Sequence, residues 1–316
     1  MHRDGRTERS GRVDPAWLAP DSGAFVWADI TQPGPDEARL LAEVFRFHEL
    51  AVEDALQSSH HPKLESYGDY LYVVLHGINF QPDAHCFDTH DTDFFVGSRF
   101  LVTVHDGRRR SIPHVAALCE RSAVVMHEGP VALMHRIVDT MVDHYRPEVD
   151  DLEGRLDALE ERVLNVASGD LTAEILAVKR DIASLRRVVI PQRDVVARLA
   201  RREFDTINQE MAYRFRDVYD QFVRMADEAL IFQDRVTGIL DAHLANVSNR
   251  LAQASKLIAL VATLFGPLTV VTGLYGMNVP IPEFPGGEDV QFWWILGLMA
   301  AASAGMFAWF RRARWI

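Results

Sequence analysis

The segment Tyr275-Gly276-Met277-Asn278 combines oxygen-bearing groups with an unusual position in the chain. It directly follows a long apolar run and directly precedes an acidic, proline-rich segment. The amide oxygen of Asn278, and backbone carbonyls left accessible by Gly273 and Gly276, can accept hydrogen bonds. Neutral oxygens of this kind suit a magnesium ion that keeps most of its hydration shell. The segment therefore predicts a site for a hydrated divalent cation.

Three carboxylates follow this segment in the sequence, namely Glu283, Glu288 and Asp289. On an outer surface they would raise the local concentration of cations. An ordinary polar hairpin loop explains them equally well, and both interpretations stay open here.

Two charge-free runs, Leu257 to Leu274 and Val290 to Phe310, flank the segment. At 1.5 Å per residue, each is long enough for a helix that crosses hydrocarbon. One such run could be a buried helix of a soluble protein, but two adjacent helices that are apolar all round are rare in soluble cores. The pattern predicts a transmembrane hairpin, with the segment 275–290 as its outer loop.

Basic residues lie only outside the hairpin: Arg250 and Lys256 precede it, and Arg311, Arg312 and Arg314 follow it. The asymmetry predicts that both flanks, and so both termini, are cytoplasmic. The polar start of the chain has no apolar segment that would make it a signal peptide. We therefore expect a multi-pass protein of the inner or plasma membrane, in contact with lipid, with tryptophans at the interface (Trp293, Trp294, Trp309 and Trp315).

The composition excludes several functions. The net charge of −12 argues against a nucleic-acid partner. No glycine-rich phosphate loop, nucleophile elbow or metal-hydrolase motif is present, so we predict neither an enzyme nor a small organic substrate. Two cysteines make no disulfide framework, which fits a reducing compartment.

We predict an α+β membrane protein in which an α/β domain occupies residues 24–130, after a polar tail at residues 1–23. We expect strands at residues 25–30, 70–75 and 100–104. Apolar residues at helical spacing predict helices at 36–47 and 48–56. Residues 81–93 resemble a hairpin connection. A helical layer follows over 131–206, with helices at 131–167 and 171–199 and a perturbation at Pro191. A stalk with the first membrane helix spans 207–274, capped by Thr206 or Asn208, and the second membrane helix with a basic end spans 291–316.

Small or weakly polar residues recur every three or four positions along the first membrane helix. This small-residue seam comprises Ala252, Ser255, Ala259, Ala262, Gly266, Thr269, Gly273 and Gly276. Close packing of two helices explains such a seam about as well as the lining of a pore.

Towards the N-terminus the same heptad positions carry carboxylates, which extend the seam into the stalk. Its acidic members are Asp217, Asp220, Asp227, Asp234 and Asp241. They form either a solvated outer face or the aqueous part of an axis surrounded by several copies of the helix. Arg224 falls on the same face and is unexplained. Because two membrane helices cannot enclose an ion path, the second interpretation requires a homo-oligomer.

The string from Pro267 to Asn278 resembles the CorA family of magnesium channels, whose signature is Gly-Met-Asn at the end of the first of two C-terminal membrane helices. The stalk segment 215–220 and the basic ending 311–315 are similar to that family as well. The resemblance is strong over 208–316 and looser over the α/β region, through Val52-Glu53-Asp54-Ala55 and His61-Pro62-Lys63.

The resemblance implies a funnel-shaped homopentamer with an α/β/α cytosolic domain and a long stalk helix. It also implies an outer selectivity ring at Asn278, and a cytosolic site at Asp217 where regulatory magnesium holds subunits together and the channel closed. Asp220, in the same stalk segment, is a further candidate metal ligand. Magnesium, and with it cobalt or nickel, would be the transported ion.

One departure from the family concerns the gate. Many members carry bulky apolar residues where this chain has Ser255 and Gly266, so Ile258 or Leu264 is a candidate for a hydrophobic gate instead.

Two rivals remain. Zinc transport is favoured by the crowding of possible zinc ligands in one region, namely His60, His61, His85, Cys86, His90 and Asp91. A membrane-anchored coiled-coil scaffold would use the long charged helices, but it leaves the aspartate heptads and the Gly-Met-Asn string without a reason.

Overall fold

The computed structural model describes residues 1–3, 6–57, 61–81, 84, 86–108, 111–165, 170–277, 288–313 and 315. The chain divides into two compact units, Met1–Ala242 and His243–Ile316. The first unit contains a β-sheet and its helices, and the second contains the two apolar helices. One long helix contributes to both units.

A mixed sheet forms the centre of the first unit. Two short strands near the N-terminus pair antiparallel, β1 (His2–Arg3) and β2 (Arg6–Thr7). Five further strands form the main sheet, namely β3 (Val26–Thr31), β4 (Lys63–Ser66), β5 (Tyr70–Gln81), β6 (Cys86–Gly97) and β7 (Phe100–His105). Their order is β3-β7-β6-β5-β4, in which β3 and β7 are parallel and the other pairs are antiparallel.

Helices account for most of the remaining chain. The first ones are α1 (Pro35–Arg39), a π-helical turn at Leu40–Val44, and α2 (Glu49–Leu56). After the sheet come α3 (Ser111–Arg121), α4 (Ala123–His127), α5 (Pro130–Asp143), α6 (Tyr145–Leu164), α7 (Thr172–Ala200), α8 (Gln209–Tyr275) and α9 (Glu288–Arg312). Short 3-10 turns at Pro15–Leu18 and Pro20–Ser22 precede β3.

The sheet is buried on both faces, which gives the first unit an α/β/α architecture. Successive side chains of a strand point to opposite faces. Along β5, Leu71, Val73 and Leu75 therefore join a core with α3 to α8, while Tyr72 and Val74 join a second core with α2 and the π-helical turn. The expected α/β/α domain, long helix and two C-terminal apolar helices are confirmed.

Helix α8 begins and packs largely as its sequence predicts. The Asn208 side-chain oxygen accepts a hydrogen bond from the Met211 N–H at 2.8 Å, so Asn208 is the N-cap. An apolar stripe at helical spacing then packs into the first core, comprising Phe215, Val218, Phe222, Met225, Ala229, Phe232, Val236 and Ile239. Charged side chains, among them Asp220, Asp227 and Asp234, are exposed on the rest of this part of the helix.

Two sequence-based boundaries were wrong. The expected connection at residues 81–93 is largely the strand β6, which pairs with β5 over twelve positions. The expected helix 131–167 is two helices that meet at His144. Pro147 stands in the first turn of α6, where a backbone N–H has no partner within the helix and its absence costs nothing. Because Pro147 has no N–H, it cannot donate the hydrogen bond that would continue α5 into α6. By contrast, α7 continues through Pro191.

A buried ion pair joins α6 to α7. The Arg155 guanidinium lies 2.5 Å from a carboxylate oxygen of Asp181, whose side chain is fully buried. The same guanidinium lies 4.8 Å from the centre of the Phe80 ring. Asp181 is the buried member of this pair, whereas the Arg155 side chain keeps 29% of its surface exposed, so removing Arg155 would leave the Asp181 carboxylate buried without that guanidinium.

We expect Arg155→Ala to lower the free energy of unfolding by about 3 kcal/mol. The matched control is Asp157→Ala, which breaks the ion pair between Asp157 and Arg235 on the surface and should cost less than about 1 kcal/mol. Thermal unfolding of the full-length variants in detergent measures both. Equal losses for the two variants would contradict the assignment of Asp181 as the structural partner of Arg155.

Candidate ion pathway and carboxylate site

The second unit contains two helices that are long and apolar enough to cross a membrane, the C-terminal part of α8 and Val290–Arg312 of α9. In each helix, the most apolar stretch of 18 residues has no residue buried within the chain. A surface this apolar requires either lipid or other subunits around it.

Each membrane helix has one half-covered stripe. On α8 it consists of Leu260, Leu264, Leu268, Val271 and Tyr275, spaced by three or four residues. On α9 it consists of Gln291, Ile295, Met299, Ser303 and Met306. Spacings of three and four residues place each stripe on a single helical face.

The small-residue seam lies on the other side of α8. At about 100° per residue, Ser255, Ala262 and Gly273 lie roughly 180° from Leu264 and Val271. Every described seam residue is exposed in the single chain. A Cβ added at Gly266 or Gly273 would meet nothing within 4 Å, so packing within one subunit does not require glycine there.

This arrangement favours one of the two expected gate positions over the other. Leu264 belongs to the half-covered stripe and therefore faces away from the small-residue seam. Ile258 is 68% exposed and lies about 60° from the seam by helical geometry. Of the two candidates, only Ile258 lies near the seam.

Helix α8 continues into the signature segment. The Gly276 N–H donates to the Thr272 carbonyl at 2.9 Å, and the Met277 N–H reaches the Leu274 carbonyl at 3.4 Å. The Thr269 hydroxyl donates to the Phe265 carbonyl at 2.8 Å, so its oxygen remains available as an acceptor. Asn278 and Glu283 lie outside the described residues. Glu288 and Asp289 begin the described part of α9, but their side chains are not among those described.

In the stalk, the predicted carboxylates share one exposed face. Asp217, Asp220, Asp227, Asp234 and Asp241 are all exposed, as is Arg224. Exposed carboxylates are expected both for a solvated outer face and for an acidic lining between subunits. Their role as a lining therefore stays a prediction.

Helix α5 packs against α8 and brings Asp139 and Asp143 near Asp217. Burial raises the pKa of Asp139 above its ordinary value of 3.8, and the charges of Asp143 and Asp217 raise it further. Gln221 bridges two of these groups, because it donates to Asp217 at 3.5 Å and also contacts Asp139. We call Asp139, Asp143 and Asp217 the stalk carboxylate group.

A histidine borders this group. The His135 ring meets the Phe215 ring edge-on, with centres 5.2 Å apart. Burial lowers the pKa of His135, and the opposing charge of Asp139 compensates in part. The imidazole is therefore mostly neutral near pH 7, and it does not neutralise the carboxylates.

Asp139 and Asp143 were not predicted as site residues from the sequence. They stand four residues apart on an amphipathic helix, and carboxylates at that spacing normally belong to a solvated face. Their relation to Asp217 depends on how α5 packs against α8, which no local pattern reveals.

The described residues contain no group of three His, Cys, Asp or Glu side chains arranged to hold a metal ion within one chain. The pairing of two of the proposed zinc ligands, His90 and Asp91, argues against the zinc interpretation. His90 and Asp91 are consecutive in β6 and point to opposite faces, where they pair with Asp106 at 3.1 Å and His76 at 3.3 Å. His60 and His85, also named for zinc, lie outside the described residues.

The first unit is a sheet covered by helices, and the second contains two apolar helices. These are the features of a two-span membrane protein with a large extramembrane domain. The family model for "CorA-like Mg2+ transporter protein" matches residues 22–312. This chain therefore belongs to the CorA-like Mg2+ transporter family.

Individual relatives agree with that assignment. The protein YfjQ of Bacillus subtilis is 32% identical over 293 residues, covering 92% of this chain and 90% of the relative. The cobalt/magnesium transport protein CorA of Thermotoga maritima is 27% identical, covering 94% and 85%. The complete structure of the CorA magnesium transporter from Methanocaldococcus jannaschii is similar with a TM-score of 0.81, at 21% identity, covering 94% and 93%. That structural likeness supports the fold.

Proposed function

We propose that this protein is the subunit of a homo-oligomeric Mg²⁺ channel of the inner or plasma membrane. One observation carries the proposal: α8 runs without a break from the stalk to Tyr275, and its small-residue seam lies uncovered, opposite the half-covered stripe. A seam that one subunit leaves open can line an axis when several copies surround it. Both termini are cytoplasmic in this arrangement, as the basic flanks favour.

The pore lining follows from the seam. Ala252, Ser255, Ala259, Ala262, Gly266, Thr269 and Gly273 would give a wide, nearly uncharged lumen. Magnesium releases its waters reluctantly, so such a lumen passes the ion with most of its hydration shell. Asn278 from each subunit would then form a ring of amide oxygens that accept hydrogen bonds from the coordinated waters. By family resemblance, the ring has five members.

The stalk carboxylate group supports a regulatory role for magnesium. Burial raises the pKa of Asp139, on α5, and the charges of Asp143 and Asp217 raise it further. One chain supplies too few well-placed ligands among its described residues, so a bound ion would draw on a neighbouring subunit. A divalent ion bridging the two would relieve the repulsion and hold the closed ring together, with Asp220 close by on α8. Loss of the ion at low internal magnesium would loosen the ring.

Ion selectivity tests the proposed function. Purified protein in liposomes is loaded with a fluorescent indicator, and entry of Mg²⁺, Co²⁺, Ni²⁺ and Zn²⁺ is measured separately. We expect Mg²⁺ entry, with Co²⁺ and Ni²⁺ as further permeant ions because they have similar hydrated shells. Zinc entry without magnesium entry would assign the protein to zinc transport instead.

The stability of the metal-free protein tests the stalk carboxylate group separately. Because the pKa of Asp139 is raised in the folded state, that state binds more protons between pH 3.8 and the raised value. The contribution of Asp139 to stability therefore falls as the pH rises through this window, and at pH 7 its charge is destabilising. Asp139→Asn should raise the unfolding midpoint in chelator at pH 7, and added Mg²⁺ should then stabilise this variant less than the wild type.

Asp151→Asn, on the exposed face of α6, is the matched control and should leave both midpoints unchanged. If Asp139→Asn lowers the midpoint in chelator, or keeps the full stabilisation by Mg²⁺, the group is not an ion site.

A further inference from the structure

The chain folds back on itself where α9 ends. The Trp315 N–H donates to the Phe310 carbonyl at 2.9 Å, a hydrogen bond that ties Trp315 to the last turn of the helix. The Trp315 ring stacks on the Phe310 ring with centres 5.9 Å apart, and it lies 6.5 Å from the Trp309 ring. Trp315 is therefore held against the last turn of the helix.

Basic groups from both membrane helices surround this aromatic cluster. The Lys256 ammonium, at the start of the apolar run of α8, lies 5.9 Å from the centre of the Trp315 ring. Arg311 and Arg312 are exposed on the last turn of α9. We call Lys256, Trp309, Arg311, Arg312 and Trp315 the basic-aromatic end.

The acidic side chains of this segment lie far from this end in the sequence. Between His243 and the C-terminus, Glu283, Glu288 and Asp289 are the acidic residues, and all belong to the loop side of the hairpin. Exposed cations next to an apolar span and beside indole rings match a membrane surface that carries net negative charge.

We propose that the basic-aromatic end binds the headgroup phosphate of anionic phospholipids such as phosphatidylglycerol in the cytoplasmic leaflet. The guanidinium groups of Arg311 and Arg312 can each hold a phosphate by two parallel hydrogen bonds, and Lys256 adds a point charge. Trp309 and Trp315 lie at headgroup depth beside them. This inference rests on the proposed function only for the membrane orientation of the chain.

Competition between two lipids tests the proposal. Full-length protein in detergent is offered equimolar phosphatidylglycerol and phosphatidylcholine, and native mass spectrometry measures the ratio of the two lipids bound per subunit. The wild type should favour phosphatidylglycerol. Because each basic residue contributes about 1 kcal/mol, Lys256→Gln should lower the ratio about fivefold, and Arg311→Gln/Arg312→Gln should lower it further.

The matched control is Lys179→Gln/Arg180→Gln, which neutralises two adjacent exposed cations of α7 in the first unit and should leave the ratio unchanged. A wild-type ratio near one, or a ratio that Lys256→Gln and the arginine pair do not change, would overturn the proposal. So would a preference that inorganic phosphate at matched ionic strength abolishes, since the site would then bind soluble phosphate.

This readout does not depend on transport. If the wild type selects phosphatidylglycerol but passes no Mg²⁺ in liposomes, the lipid site stands and the proposed function fails. If the wild type passes Mg²⁺ and binds both lipids equally, the proposed function stands and the lipid site fails.

Discussion

Asn278→Ala is expected to lower Mg²⁺ entry into liposomes by about 100-fold or more. The substitution replaces an amide oxygen by a methyl group at every position of the proposed outer ring. A hydrogen bond to a charged group contributes about 1.5–3 kcal/mol, and each 1.4 kcal/mol corresponds to a tenfold change. The loss of even one such hydrogen bond for each passing ion would therefore lower the entry rate strongly. The variant changes no predicted helix or core contact, and it should assemble as the wild type does.

Asn165→Ala is the matched control for this prediction, because it makes the same substitution at an exposed position at the end of α6. It should leave entry unchanged. Wild-type rates for Asn278→Ala, with normal oligomer content, would show that the signature segment does not form the selective ring. Loss of assembly in the same variant would instead assign Asn278 a structural role.

Asp217→Ala is expected to weaken inhibition by cytoplasmic Mg²⁺ by about tenfold or more, as the loss of a residue in or around a metal site commonly does. The variant removes the member of the stalk carboxylate group that is exposed on α8 and so can reach another subunit. The remaining charge of Asp139 stays half-buried and loses one repelling neighbour. Flux is measured against Mg²⁺ concentration on the stalk side of the membrane.

Asp205→Ala, an exposed carboxylate just before α8, serves as the control and should keep the wild-type dependence. If Asp217→Ala closes at the same Mg²⁺ concentration as the wild type, the regulatory site is elsewhere in the assembly. Reduced maximal flux without any change in this concentration would place Asp217 in conduction instead.

The C-terminal half of the fold could be predicted from sequence because its patterns are local. Helix α8 combines an N-cap at Asn208, an apolar stripe of helical spacing and a charge-free span, and each of these acts within a few residues. The extent of the helix was therefore predicted to within about two residues at either end, at Gln209 and Tyr275.

Strand β6 could not be predicted because its side chains suggest a loop. Asp88, His90 and Asp91 are common in turns, yet they lie inside a twelve-residue strand. Their partners lie in or directly after the neighbouring strands: His90 pairs with Asp106, just after β7, and Asp91 pairs with His76 of β5. Pairing between strands and between charges overrides local propensity here. The proximity of Asp139 and Asp217 likewise depends on packing between two helices and not on a local pattern.

The small-residue seam was identified from its spacing, but its orientation was not. Periodicity alone does not distinguish a face that packs against α9 from a face that meets other subunits. The half-covered stripe at Leu260, Leu264 and Leu268 makes the distinction, since it lies opposite Ala262 and Gly266. A gate at Ile258 fits that geometry better than a gate at Leu264, and its position stays a prediction.

Mg²⁺ entry into liposomes that contain only the purified wild-type protein tests the central claim most directly. With a low concentration of Mg²⁺ on the stalk side and a high concentration on the loop side, rapid entry down the gradient is predicted, and it should slow as Mg²⁺ accumulates at the stalk. Entry no faster than into protein-free liposomes, from protein that is folded and oligomeric, would contradict the claim that this chain forms a Mg²⁺ channel.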